Sequence, residues 1–396
     1  MIYTHVCGDR LSLLGFGTMR LPQTSKRPED IDQAQVNAMV DYAIEHGVNY
    51  FDTAAPYHDG FSEIAIGKAL ARYPRESWRL ADKYPGHQYL APMDPGEIFF
   101  KQLKKCGVEY FDYYLLHNVN ENSIGAYTSE EYGIVPFFLE QKRLGRIRHL
   151  GFSCHGFPEN LEQFLDRWGD ALEFCQIQLN YLDWSLQNAE RKYQILSDRG
   201  IPVWVMEPVH GGMLVKLPEP QAARLQSLHP TESVASWGFR WLQGLENVHM
   251  VLSGMSNLEQ MKDNVQTFET RRPLTETENA VVYEVAETLK SGLPCTACRY
   301  CCKGCPLELD IPFILANYNE FRVAKSMNIV MRLESLPSEK RPEACIGCGQ
   351  CAAACPQKID VPKAMREFGE ALSGMKTWAQ IVAERAAMER ARENQT

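Results

Sequence analysis

Nine of the thirteen cysteines fall between residues 295 and 355. The first group, "CTACRYCCKGCP", reads Cys295-x2-Cys298-x2-Cys301-x3-Cys305-Pro306, and the second, "CIGCGQCAAACP", reads Cys345-x2-Cys348-x2-Cys351-x3-Cys355-Pro356. Spacings this tight let three thiolates of one loop reach three irons of a single cubane, while the fourth cysteine of each group is displaced by three residues and followed by proline. Zinc is the competing metal, but it usually takes ligands as two well-separated pairs, which two runs of four fit poorly. A disulfide framework belongs to small secreted chains, and no secretory leader is apparent here.

The run C-x2-C-x2-C-x3-C-P is that of bacterial ferredoxins, present twice, and two [4Fe–4S] clusters are expected. As in two-cluster ferredoxins, the ligand sets would cross over. Cys295, Cys298, Cys301 and Cys355 would hold one cluster, and Cys345, Cys348, Cys351 and Cys305 the other; Cys302 is left over and reads as a small buried residue. The segment between the groups carries apolar residues at Ile311, Ile314, Leu315, Tyr318 and Phe321, a helical face. The stretch after Cys355 repeats it with Val361, Met365 and Phe368. Each cysteine loop thus precedes a helix with proline near its first turn, in the manner of an α-helical ferredoxin.

A second set of reactive residues lies far upstream. Asp52, Lys83 and His117 each end a predicted strand, and Tyr57 follows Asp52 in the loop of "YFDTAAPYHDG". A tyrosine is a poor acid near neutrality, but a neighbouring ammonium favours its phenolate and lowers its pKa. A carboxylate keeps that ammonium charged, and a histidine can hydrogen-bond a substrate oxygen or relay a proton. Together the four suit protonation of a carbonyl oxygen while hydride reaches its carbon.

These residues meet only if the intervening chain brings strand ends together. Strands are predicted at 13–19, 48–52, 78–83, 111–117, 147–153, 174–179, 203–207 and 248–254, with helical segments between them. Eight strand–helix units in about 250 residues have the rhythm of a (β/α)8 TIM barrel, an α/β fold whose chemistry sits at the C-terminal ends of the strands. The first fifteen residues read as a hairpin turning at "CGD" that plugs the other end. Expected domains are a barrel over 1–285, a smaller, mainly helical two-cluster domain over 286–375, and a C-terminal helix over 376–396.

The segments "GFGTMRLP", "YFDTAAPYHDG", "RLADK", "YLLH", "LGFS", "QIQLN" and "SGMSNLEQMKDN" resemble, in chain order, the aldo/keto reductase superfamily, and the whole chain resembles its subgroup with a C-terminal 4Fe–4S ferredoxin-like domain. The resemblance implies that Tyr57 is the general acid, with Lys83 and His117 tuning it and Asp52 pairing Lys83. It implies that Thr18 and Asp52 lie near the nicotinamide ribose and that Ser153 and Gln176 hold the carboxamide. It departs at Met206, where many members place an aromatic residue on the nicotinamide, and in the adenosine segment, where Lys262 is the only cation, with Gln260 and Asn264 nearby. Gly211 and Gly212 form a loop that admits a phosphate or a close backbone. The cofactor is accordingly NADP(H) or NAD(H). FMN is the flavin that a barrel mouth can hold at a phosphate site.

The 396 residues carry a net charge of −9. Without a cationic excess the chain is not expected to bind nucleic acid. No apolar run is long enough to cross a bilayer, so no membrane partner is expected, and a cytoplasmic location follows from the abundant free thiols. The leading expectation is an oxidoreductase that reduces a small carbonyl compound, or oxidises the alcohol, with nicotinamide. One alternative is a ferredoxin-linked redox enzyme whose clusters, served by a ferredoxin-type partner, feed a substrate or flavin at the barrel mouth. Another is a non-catalytic electron-transfer subunit.

Overall fold

A computed structural model describes residues 1–87, 94–290 and 292–393. The chain forms two compact units, Met1–Val285 and Ala286–Thr396.

The first unit opens with strands β1 (Tyr3–Val6) and β2 (Asp9–Ser12), paired antiparallel with Val6 opposite Asp9. Cys7 (φ 52°) and Gly8 (φ 81°) make the two-residue turn, the left-handed pair that matches the twist of a hairpin. Eight parallel strands then close a barrel: β3 (Leu14–Gly17), β4 (Tyr50–Asp52), β5 (Arg79–Tyr84), β6 (Phe111–Val119), β7 (Ile147–Cys154), β8 (Cys175–Gln178), β9 (Val203–Met206) and β10 (Val248–Gly254), the last pairing with both β9 and β3. Each falls on a predicted strand. The strands read as continuous apolar runs because the barrel interior covers one face and helices the other. In β6, "FDYYLLHNV", every residue is buried.

The barrel interior is packed, not hollow. Tyr50, Tyr113, Phe174 and Trp204 fill its lower layer with ring centroids 4.6–6.5 Å apart. Val6 and Leu11 of the hairpin join the same apolar cluster, so the hairpin seals this end, as its sequence suggests. The opposite end, where the strands finish, is free for chemistry.

The second unit is helical, with helices Ile311–Val323, Met327–Glu334, Val361–Ser373 and Trp378–Glu393. Asp310 and Asp360 cap the first and third by accepting from the backbone N–H groups of Phe313 and Lys363, with Pro312 and Pro362 in the first turns. Leu309, Ile314, Phe321, Ile359, Met365 and Phe368 lie in one core, each contributing roughly 1.5–3 kcal/mol by burial. The helical run expected after Cys305 is two helices. It breaks at Ala324, which is extended, and Ser326 caps the second helix; a buried ion pair, Glu320 with Arg332, ties the two together. Glu334 accepts from the backbone N–H of Trp378 and seats the last helix on the same unit. The end of the expected C-terminal helix, 394–396, lies outside the described residues. Among the described residues no helix is long and apolar enough to cross a membrane.

Candidate active site and cluster sites

Asp52, Lys83 and His117 come together at the C-terminal end of the barrel because β4, β5 and β6 are consecutive neighbours in it. Lys83 is fully buried. Its Nζ donates to Asp52 Oδ1 at 2.5 Å and to the Thr53 carbonyl at 2.7 Å, and lies 5.1 Å from the centroid of the Tyr57 ring. Tyr57 opens a tight turn, Tyr57–Gly60, in which His58 and Asp59 both take left-handed backbone angles (φ 50° and 51°). Its ring meets that of His117 edge-on at 6.3 Å, and the His87 ring also meets His117 edge-on, at 4.5 Å.

The electrostatics differ in one respect from the sequence expectation. Burial pushes the Tyr57 hydroxyl above the ordinary tyrosine value; Lys83 pulls it back, Asp52 and Glu207 push it further up, and the net direction is upward. Lys83 lowers the value relative to burial alone, not relative to water. Tyr57 is therefore held as the protonated acid. Burial opposes the Lys83 charge, but Asp52 and Tyr57 more than offset this and keep it an ammonium. His117 is held neutral, first by burial and then by repulsion from His87, Lys83 and His155. Its Nδ1 is buried with no hydrogen-bond partner among the described residues.

A cleft of about 1360 Å³ opens beside this group. Asp52, Tyr57, Gln176, Met206, Gly211, Gly212 and Asn264 all line it, whereas Thr18 and Ser153 do not. The Thr18 hydroxyl donates to the Asp52 carbonyl at 2.9 Å and accepts from Ser62 at 2.7 Å, and Ser62 also meets Thr53 at 3.0 Å. The Thr18 hydroxyl thus fastens the strand ends, between Gly17 and Met19, which line the cleft. Ser153 Oγ accepts from the backbone N–H of Asn118 at 2.8 Å, beneath the site. Lys262 also lies apart, over the ring of Tyr42.

The sequence reading missed Arg20 and Lys216 as cleft residues; Glu207 lines the cleft as well. Arg20 lies along Gly254 and approaches Glu207, 3.9 Å away. Glu207 (φ 53°) and His210 (φ 47°) hold left-handed angles just before Gly211 (φ 64°) and Gly212 (φ 93°), so the whole "EPVHGG" turn is bent toward the cleft. The glycine pair was visible in the sequence; the charged residues flanking it were the available signal. Two buried acceptors on the cleft wall have no partner among the described residues: Gln176 Oε1 and Asp52 Oδ2. Orphaned acceptors in a recess this large fit a ligand rich in donors, as a nicotinamide carboxamide and ribose are.

The cysteines gather in the second unit around two recesses. Cys295, Cys298, Cys301 and Cys355 surround one of about 320 Å³, and Cys305, Cys345, Cys348 and Cys351 surround one of about 350 Å³. Each set takes three thiols from one loop and its fourth from the other. Aliphatic side chains complete the walls: Leu315, Ile359 and Val361 at the first recess, Leu307, Ile311, Ile346, Val361 and Met365 at the second. Four convergent thiols in an apolar pocket fit a [4Fe–4S] cubane. Burial and the adjacent Cys302 thiol push Cys301 up to about 12. Cys302 is half-buried, lines neither recess, and packs on the core beside Cys301.

Comparison with known proteins agrees with this division. The aldo/keto reductase family model matches residues 13–287, and the model of a 4Fe-4S dicluster domain matches residues 294–359. The chain is 24% identical over 328 residues to the NADH-specific methylglyoxal reductase of Escherichia coli, covering 71% of this chain and 96% of that protein. It is 24% identical over 283 residues to the L-galactose dehydrogenase of Arabidopsis thaliana, covering 65% and 84%. Among solved structures, the holo form of aldo-keto reductase AKR11C1 from Bacillus halodurans superposes with a TM-score of 0.59 at 26% identity, over 72% of this chain and 96% of that one.

Proposed function

Since the chain belongs to the aldo/keto reductase family and carries a 4Fe-4S dicluster domain, we propose that it reduces the carbonyl group of a small molecule, or oxidises the corresponding alcohol, with Tyr57 as the general acid and base. The observation that carries this reading is Lys83, a fully buried ammonium fixed by Asp52 and the Thr53 carbonyl beneath the ring of Tyr57. When bound, the nicotinamide supplies the hydride, which adds to the carbonyl carbon. Tyr57 gives its proton to the carbonyl oxygen, so the C=O becomes CH–OH and a phenolate remains. Lys83 stabilises that phenolate as it forms, which is where a fixed charge contributes most. His117, neutral and buried, orients the carbonyl oxygen. Gln176 and Asp52 offer their free acceptors to the cofactor, and Gly211 and Gly212 let its phosphates approach the backbone.

NADH is the preferred donor in this reading. From Ser253 to Asn264 the cleft wall presents Ser253, Ser256, Gln260, Asp263 and Asn264 but no cation, since Lys262 points to Tyr42. A 2′-phosphate beside Asp263 would meet a carboxylate; the cleft cation Arg20 lies along Gly254 and approaches Glu207. The relative from Escherichia coli is likewise described as NADH-specific. The two sets of four cysteines would hold two [4Fe–4S] clusters, which accept and pass single electrons. A second reading is favoured by that domain alone: electrons from a ferredoxin-type partner enter through the clusters and join the barrel chemistry.

An anaerobic assay separates the two. Holoprotein with confirmed iron and sulfide is mixed with NADH, or with NADPH, and nicotinamide absorbance and cluster bleaching are followed together. Nicotinamide oxidation that requires an added aldehyde or ketone, with unbleached clusters, supports the first reading. Cluster bleaching by NADH without a carbonyl compound supports the second and counts against the first.

A further inference from the structure

The two cysteine loops share the spacing of their four cysteines and proline but differ at the seven positions between them. Aligned from Cys295 and from Cys345, Thr296 matches Ile346, Ala297 matches Gly347, and Arg299 matches Gly349. The backbone is the same in both: Gly347 (φ 71°) and Gly349 (φ 78°) occupy the left-handed region, and so do Ala297 (φ 54°) and Arg299 (φ 63°). Glycine takes such angles without penalty, whereas a side chain pays a steric cost for them. The first loop therefore bears strain at Ala297 and Arg299 that the second avoids, and of the two only Arg299 brings a charge.

The placement of Arg299 shows where that charge lies. It lines the recess of Cys295, Cys298, Cys301 and Cys355, and its charge is within range of Cys301 and Cys302. Its guanidinium is anchored by Asp310, the cap of helix Ile311–Val323, at 3.1 Å; Asp310 does not line the recess. The Arg299 side chain is 60% exposed, so its charge lies at the solvent edge of the recess, paired with Asp310, which is outside the lining. Among the described residues no charged one lines the other recess, where Ile346 stands in the place of Thr296; Gly349, the match of Arg299, is not part of its lining. The cation near that recess, Lys340, is not a lining residue and is taken up by the Leu307 carbonyl at 2.7 Å and by Glu308.

We infer that Arg299 makes the two cluster sites unequal, so that the one held by Cys295, Cys298, Cys301 and Cys355 takes up the first electron from a one-electron donor and the apolar site takes up the second. Each reduction adds one negative charge to a tetrathiolate site. A fixed cation on the wall favours that charge, and an aliphatic wall opposes it. Arg299 is a positioning residue for charge and ligates nothing. The inference rests on the crossed ligand sets proposed above.

The test is an anaerobic redox titration of the full-length holoprotein with dithionite, followed by electron paramagnetic resonance. Two separate one-electron waves are expected. Arg299→Gln should move the upper wave to more negative potential by a threefold to tenfold weaker uptake, tenfold being 59 mV for one electron, and leave the lower wave in place. Should Arg299→Gln fail to load iron, Gly349→Arg reads the same effect from the other side: it should raise the lower wave and narrow the gap. A single two-electron wave in the wild type would overturn the inference, as would variants that move neither wave or the wrong one. Cys355→Ser keeps the ligand reading separate. It should abolish the wave that Arg299→Gln shifts; loss of the other wave would refute the crossed ligand sets instead.

Discussion

Replacing Lys83 by methionine isolates the central ion pair. Methionine keeps most of the side-chain volume and removes the charge, leaving Asp52 buried with neither oxygen compensated: Oδ1 loses its 2.5 Å donor and Oδ2 has none among the described residues. Breaking a buried pair from one side costs about 3–5 kcal/mol. At about 2–4 °C per kcal/mol for a large domain, the barrel should melt roughly 10 °C lower. The loss should depend on pH in a definite sense. Unpaired and buried, Asp52 would have its folded-state pKa raised far above its unfolded value. Stability is then greatest below the unfolded value and falls as pH rises through the folded one. The wild type should show a weaker form of this dependence: burial raises Asp52 even with Lys83 pulling it down, while Lys83 itself has a raised folded pKa whose stabilisation fades only in strong alkali. Urea unfolding of loaded protein at pH 5 and pH 8 would show Lys83→Met more stable at the lower pH. Adding Asp52→Leu should recover most of the stability without restoring activity. A single variant within about 1 kcal/mol of wild type, or one indifferent to pH, would refute the reasoning.

Other outcomes follow from the same geometry. Tyr57→Phe keeps the ring against His117 and Lys83 and removes only the acid, so kcat should fall about 10²–10⁴-fold with KM nearly unchanged in steady-state assays. Carbonyl reduction requires protonated Tyr57, so its rate should hold through neutrality and fall only above the ordinary tyrosine range. Glu207→Gln removes a charge that raises the Tyr57 value and should move that alkaline limb to lower pH, measurable as the pH profile of kcat/KM. Steady-state comparison of the two nicotinamides should give a higher kcat/KM with NADH, and Asp263→Arg should narrow the difference.

Most of the fold was legible because strand ends and their ligating or acidic residues coincide. Asp52 and Lys83 lie in short runs, "YFD" and "RLADKY", that can only be buried strands, and a lysine ending such a run requires a partner. The two groups of four cysteines were legible from their spacing, and the proposed crossing of the sets matches the cysteines that line each recess. Three things were not. The fate of Thr18 depends on Ser62, which lies 44 residues away and carries no local signal. The direction of the Tyr57 shift depends on burial competing with Lys83, and type and spacing alone cannot rank the two. The break after Val323 has no glycine or proline to mark it; it is set by the Ser326 cap and by the buried pairing of Glu320 with Arg332.

The most direct test of the account follows a single hydrogen. Holoprotein is given NADH deuterated at the reactive nicotinamide carbon together with an aldehyde it reduces, and the alcohol is analysed by mass spectrometry. The account predicts one deuterium on the former carbonyl carbon, with the hydroxyl proton coming from solvent through Tyr57. A product whose new carbon-bound hydrogen comes from solvent, formed while the electrons pass through the clusters, would contradict it.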